Sequence, residues 1–234
     1  VNHQNQRLNF FLKPTYTIFP LSESALTVSF GQVIDEHLNE YLVQLGKEIE
    51  RKSIFGLQEV VVTYASLTIY YHAFSIHEGT KLSPGEFVKL HVEDLIKRFD
   101  FNPQIESTKN ITEIPVIYDG EDLVHVCSKT GFSETKLIEL HTAPLYRVYM
   151  MGFLPGFAYL GGMDKRLAIS RRDSPRLKVP MGSVGIAGEQ TGVYPVESPG
   201  GWQLIGRTEI PLFTPDEKYI TLLKQGGYVR FVAI

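Results

Sequence analysis

Residues 149–214 constrain the fold more than any other stretch of this chain. They read YMMGFLPGFAYLGG at 149–162, RRDSPRLKVPMGSVGIAGEQTGVYP at 171–195 and SPGGWQLIGRT at 198–208. Glycine and proline recur every few residues, and no helical period survives. Inside long regular elements such punctuation costs stability. Short strands joined by tight turns tolerate it, and such turns present backbone N–H groups and aromatic faces to a ligand. Strands are expected at 146–152, 184–187, 203–206 and 228–233, a spacing that argues for a closed or nearly closed β-barrel.

The first hundred residues carry a different pattern. Two short strands flank a turn at Ser22-Glu23-Ser24. Over 33–52, Ile34, Leu38, Tyr41, Leu42, Leu45 and Ile49 form one apolar helical stripe. Residues 57–64 and 67–74 are rich in Val, Ile, Thr and Tyr and predict a hairpin turning at Ala65-Ser66. Ser83-Pro84-Gly85-Glu86 then has the form of a capping box opening a second helix, whose core side chains are expected to be Phe87, Leu90, Leu95, Ile96 and Phe99. The expected order is ββαββα, an α+β domain over 14–100 in which two helices pack on an antiparallel sheet. The polar stretch 101–111, with Pro103, is the expected linker to a second, all-β domain over 112–234. One further helix is expected behind the cap Ser133.

Composition excludes several classes. A net charge of −3 recruits neither nucleic acid nor an acidic membrane surface. One cysteine, Cys127, closes no intrachain disulfide and no thiolate zinc site, and it reads as a buried structural residue in a reducing, cytoplasmic setting. The seven histidines show no metal-ligand spacing, so no metal is expected. No apolar run is long enough to span a bilayer, and residues 1–13 lack the pattern of a secretory signal; Leu8, Phe10, Phe11 and Leu12 are expected to dock on the body or fray.

Candidate binding residues come from the punctuated region. Phe153, Phe157 and Tyr159 stand among glycines, where they form either a pocket wall or a barrel corner filled by aromatics. MGSVGIAG at 181–188 lacks the Gly-Lys-Ser/Thr of a phosphate loop, although its N–H groups suit an anion; Gln190, Thr191 and Tyr194 add hydrogen-bonding side chains. Arg176 and Arg207 are expected to bind a carboxylate or phosphate beside that pocket, while Arg171 and Arg172 are expected to be exposed. Trp202 either stacks a ligand or plugs the barrel, with the plug favoured, and His141 reads as a satisfied or exposed histidine. No residue pattern identifies a catalytic group.

Three strings, LHTAPLYRVYMMGFLPGFAYLGG at 140–162, AGEQTGVYP at 187–195 and SPGGWQLIGRT at 198–208, resemble the allophanate hydrolase subunit 1 family. The resemblance runs from about Tyr16 to the end. Members of that family include the sporulation kinase A inhibitor and the B subunit of bacterial ATP-dependent 5-oxoprolinase. The resemblance implies an N-terminal α/β domain and a C-terminal cyclophilin-like barrel. It also implies ATP as cosubstrate of a heteromeric complex. The partners so implied are a sister of the allophanate hydrolase subunit 2 type, which is the 5-oxoprolinase C subunit, and the 5-oxoprolinase A subunit. The sister pair is similar to the carboxyltransferase region of urea amidolyase. The alternative the resemblance leaves open is a regulator that binds a sensor histidine kinase. The chain departs from the family at Ser22-Glu23, where Gly-Asp is usual, and at Tyr118–Leu123, shorter than the usual Gly-Gly-containing loop.

Overall fold

A computed structural model of the chain describes residues 14–102, 110–215 and 220–234. They divide into two compact units, one before residue 106 and one from it onward. The expected docking tail at 1–13 and most of the expected linker, 103–109, lie outside the described residues.

The first unit runs β1 (Thr17–Ser22), β2 (Ala25–Ser29), α1 (Glu36–Arg51), β3 (Leu57–Val62), β4 (Ser66–Tyr71), α2 (Ala73–Gly79) and α3 (Pro84–Arg98). Its sheet has the order β1-β2-β4-β3, antiparallel throughout. Asp35 caps α1 by accepting from Leu38 N at 2.8 Å, and Tyr41, Leu42, Leu45 and Ile49 are buried as the stripe requires. Gly46 lets α1 lie close on the sheet, since a Cβ there would stand 2.9 Å from Val62. Both bonds of the Ser83–Glu86 capping box are present.

Two expectations are corrected here. The strand expected over 67–74 stops at Tyr71, because His72 Nδ1 accepts from Ser75 N at 3.2 Å and starts the short α2. Leu90 is 54% exposed; the buried row of α3 is Val88, Val92 and Ile96, spaced by four, with Phe87, Leu95 and Phe99 on its flanks.

The second unit begins with β5 (Ile111–Val116), α4 (Leu123–Thr130), α5 (Glu134–Thr142), β6 (Tyr146–Met151) and β7 (Ala158–Gly161). It continues through β8 (Arg176–Val179), β9 (Ser183–Ala187), β10 (Gln190–Val193), β11 (Ser198–Gly200), β12 (Gln203–Arg207) and β13 (Tyr228–Ala233). Seven strands form one sheet in the order β12-β9-β10-β7-β6-β13-β5, with β13 and β5 parallel, while β8 and β11 pair separately. The residues after β5 bring its two edges together. Ile117 and Arg207 exchange backbone hydrogen bonds of 2.9 Å each, Gly120 N donates to Ile205 O at 3.3 Å, and Asp122 N donates to Leu204 O at 2.9 Å. The sheet is thereby nearly closed. Gly120 is required at this seam, since a Cβ there would meet the backbone of Leu204, Ile205 and Gly206.

This unit is not all-β. Helices α4 and α5 send Leu123, Val126, Leu137 and Leu140 into the same core as Val116, Val148, Leu160, Ile186, Val229 and Phe231. The segment LVHVCS reads as an apolar run, yet it forms α4, which ends at Gly131 in the left-handed conformation (φ 76°). Cys127 sits on α4, partly buried against that core, and burial raises its thiol pKa.

Candidate functional site

Asp122 joins four pieces of the second unit. It stands at the seam, immediately before α4, with its side chain 6% exposed. Its Oδ2 accepts from Leu204 N of β12 at 2.7 Å. Its Oδ1 accepts from Arg176 Nη2 of β8 at 2.8 Å and from Arg172 Nη1 of the preceding loop at 2.9 Å. Burial pushes the Asp122 carboxyl pKa up, but the Arg176 hydrogen bond, the Leu204 N–H and the two guanidinium charges together hold it below the usual carboxylate range. The group is therefore ionised at neutral pH, and it fixes both arginines. Glu121, beside it, accepts from Arg176 Nε at 3.2 Å.

A cleft of about 700 Å³ opens over this arrangement, between α4, the 169–174 loop and the start of β12. Its walls include His125 and Lys129 from one face of α4, Arg171, Arg172 and Asp173 from the loop, and Gln203. The loop is tied to the 201–203 segment twice: Arg172 N donates to Gly201 O, just before β12, at 2.8 Å, and Gln203 Nε2, at the start of β12, donates to Ser170 O at 3.1 Å. The volume suits a small ligand. A larger depression of about 910 Å³ lies on the first unit around Tyr71, His72, Phe74 and His77, but no arginine or lysine lines it.

The residues expected at a ligand pocket fall into three groups. Phe153, Phe157, Tyr159 and Tyr194 come together, with Trp202, as an aromatic knot centred on Phe157. Ring centroids lie 5.6 Å from Phe157 for Phe153, 5.0 Å for Tyr159, 5.5 Å for Tyr194 and 5.6 Å for Trp202, all edge-on. Phe157, Tyr194 and Trp202 are buried, whereas Phe153 is 61% exposed and holds a positive φ of 73°. Gln190 is half-buried at the start of β10.

Thr191 belongs to a second group, on the other side of its strand from the knot's centre. Its hydroxyl donates to Gly185 O at 3.1 Å and lies 2.9 Å from His141 Nε2. His141 Nε2 is therefore the donor in that contact, and Nδ1 accepts the Tyr118 hydroxyl proton at 2.7 Å. His141 is fully buried, stacked on Phe231 with centroids 4.6 Å apart, and burial pulls its pKa down from 6.5 to about 3. It is a neutral, satisfied part of the core.

The arginines make the third group. Arg176 supports the cleft from behind through Asp122. Arg207 is not brought to it: it stands half-exposed at the far end of β12 and donates through Nε to Asp119 Oδ2 at 2.9 Å. Arg171 is exposed, but Arg172, expected to be exposed, is partly buried by its bond to Asp122. Sequence reasoning missed Asp122, Gln203 and the α4 residues His125 and Lys129. The sequence places Glu121 and Asp122 only in the Tyr118–Leu123 loop, with no signal of the partners they find. Among the described residues, no group of three or more His, Cys, Asp or Glu side chains is placed to hold a metal, and no helix is long and apolar enough to cross a membrane.

The chain matches the sequence profile of the carboxyltransferase domain, subdomains C and D, over residues 16–223. It is 43% identical over 225 residues to a Bacillus subtilis (strain 168) protein named as the B subunit of 5-oxoprolinase, covering 94% of this chain and 93% of that protein. A Haemophilus influenzae protein of the same name is 36% identical over 219 residues, covering 92% and 96%. Among solved structures, TTHA0988 aligns over 93% of this chain with a TM-score of 0.77 and 33% identity. This chain spans only 40% of TTHA0988. The matched span takes in the seam at Asp122 and all three strings that carry the family resemblance. The chain belongs to the carboxyltransferase-domain family, subdomains C and D.

Proposed function

We propose that the chain is the B subunit of an ATP-dependent 5-oxoprolinase. The observation that carries this reading is the 43% identity, along 94% of the chain, to a protein named as the B subunit of that enzyme. On this reading the chain works in the cytoplasm with the A subunit and with the C subunit, its sister of the allophanate hydrolase subunit 2 type. A relative in which this fold makes up 40% of a longer chain supports a partner for it. The second unit is read as a cyclophilin-like barrel, which its nearly closed seven-stranded sheet supports.

The chemistry defines what the assembly must supply. Opening 5-oxoproline adds one water across the ring C–N bond and gives glutamate. Amide resonance opposes that addition. Transfer of the ATP γ-phosphoryl group to the carbonyl oxygen releases ADP and opens that carbon to water; the ring nitrogen then leaves with a proton as the amine, a second water releases the phosphate, and arginine or backbone N–H donors stabilise the charge that develops. The chain has no Gly-Lys-Ser/Thr phosphate loop, so the nucleotide is held in another way or by one of the partners.

The test is ATP-dependent glutamate release from 5-oxoproline by the chain combined with the A and C subunits, and by the same mixture with the chain omitted. Release that requires the chain is expected. A full rate without it contradicts the reading. Binding to a sensor histidine kinase with no glutamate release would favour the inhibitor alternative.

A further inference from the structure

Several groups in the cleft over Asp122 have no partner of their own. Arg171, Lys129 and His125 make no ion pair among the described residues. Gln203, only 4% exposed, forms part of the lining. Its amide orientation is fixed, because Nε2 donates to Ser170 O at 3.1 Å and the reversed amide would set two oxygens against each other. Its Oε1 is then left with no donor, and Arg172 Nε with no acceptor. A buried acceptor without a partner is costly to keep, and at a cleft it calls for a donor on the ligand. Asp122 does not compete for that ligand, since both its oxygens are engaged. Asp173, exposed, is the other carboxylate of the lining, and it makes no ion pair with Arg171 or Lys129 among the described residues.

We infer that this cleft binds a small carboxylate that also carries an amide N–H, with the carboxylate on Arg171 and Lys129 and the N–H donated to Gln203 Oε1. Each half of the ligand has its own reason. A sulfate, fully ionised at neutral pH, satisfies the cations but brings Gln203 no proton. A neutral amide brings the proton but leaves the cations in water. A lactam acid supplies both. The choice of a lactam rests on the function proposed above; the need for an anion and a donor does not.

Calorimetric titration tests this on the full chain, alone and assembled with the A and C subunits. The probes are 5-oxoproline, N-methyl-5-oxoproline, 2-pyrrolidinone and sulfate. The expected result is that 5-oxoproline binds at least tenfold more tightly than each of the other three. Arg171→Ala with Lys129→Ala should weaken it about tenfold. Gln203→Met should make 5-oxoproline and its N-methyl form bind alike. Should that variant fail to fold, the preference of the native chain for the N–H form still decides. Absence of 5-oxoproline binding in both preparations, equal binding of the N-methyl form, or tighter binding of sulfate overturns the inference. Glutamate release by a complex whose cleft variants behave as wild type overturns the cleft and leaves the function standing. Binding with the N–H preference but no glutamate release overturns the function and leaves the cleft.

Discussion

Removing the Asp122 carboxylate should destabilise the second unit severely. Asp122→Ala deletes three charge-assisted hydrogen bonds, to Leu204 N (2.7 Å), Arg176 Nη2 (2.8 Å) and Arg172 Nη1 (2.9 Å). They are not equivalent. The Arg172 side chain is 37% exposed, so water replaces its partner and the loss there is small. The Arg176 side chain is 14% exposed, and the Leu204 N–H is buried at the seam. Each of these two bonds contributes on the order of 1.5–3 kcal/mol, and a guanidinium stripped of its main buried partner costs about 3–5 kcal/mol in all. That is a large share of the roughly 5–15 kcal/mol that holds a domain folded. Asp122→Asn keeps an acceptor for Leu204 and should cost about half as much. The assay is urea unfolding followed by fluorescence of Trp202, the chain's one tryptophan, buried in the second unit. The pH dependence has a fixed sign. The folded pKa of Asp122 lies below the unfolded value of about 3.9. Its contribution is therefore present above about pH 4 and is lost as the pH falls through the folded pKa. The gap between wild type and Asp122→Asn should be constant near neutrality and close below about pH 4. A cost under about 1 kcal/mol for Asp122→Ala would mean that the seam is solvated and that Asp122 does not fix the arginines.

Three further outcomes follow from the geometry. His141 has a folded pKa of about 3 against 6.5, so its neutral burial stabilises fully above pH 6.5 and is lost as the pH falls toward 3. The wild type should lose about 1.4 kcal/mol per pH unit more than His141→Gln over that window, and parallel pH profiles of the two would refute it. Arg207→Ala should change stability by less than about 1 kcal/mol in the same unfolding assay, because both partners of the Arg207–Asp119 pair are half-exposed; a loss of several kcal/mol would contradict that. Limited proteolysis should cut within 101–111 and release two folded pieces, a 14–100 domain and a 112–234 domain, and a chain that resists cleavage there would argue against that boundary.

Much of the fold was legible because it is written in local pattern. The stripe of α1, the Ser83–Glu86 box and the strands at 146, 184, 203 and 228 depend on neighbours in sequence. Helix α4 was not legible, since Val124-His125-Val126 alternates like a strand; only tertiary burial of Leu123 and Val126 selects the helix. Leu90 fitted the helical period but fell on the wrong side of the buried row. At the candidate site, aromatic spacing could not tell whether Phe157 faces a ligand or other rings; it faces rings. Asp122 was invisible for a related reason. Its partners stand 50, 54 and 82 residues away, and nothing local to Tyr118–Leu123 announces them.

The central claim, that this chain is a required part of an assembly opening 5-oxoproline, is tested most directly by reconstitution. Glutamate formed from 5-oxoproline is measured with ATP present or absent, for the A and C subunits with and without this chain. The account predicts release only when ATP and this chain are both present, with ADP formed alongside glutamate. Equal release without the chain, or none from the complete mixture, would contradict it.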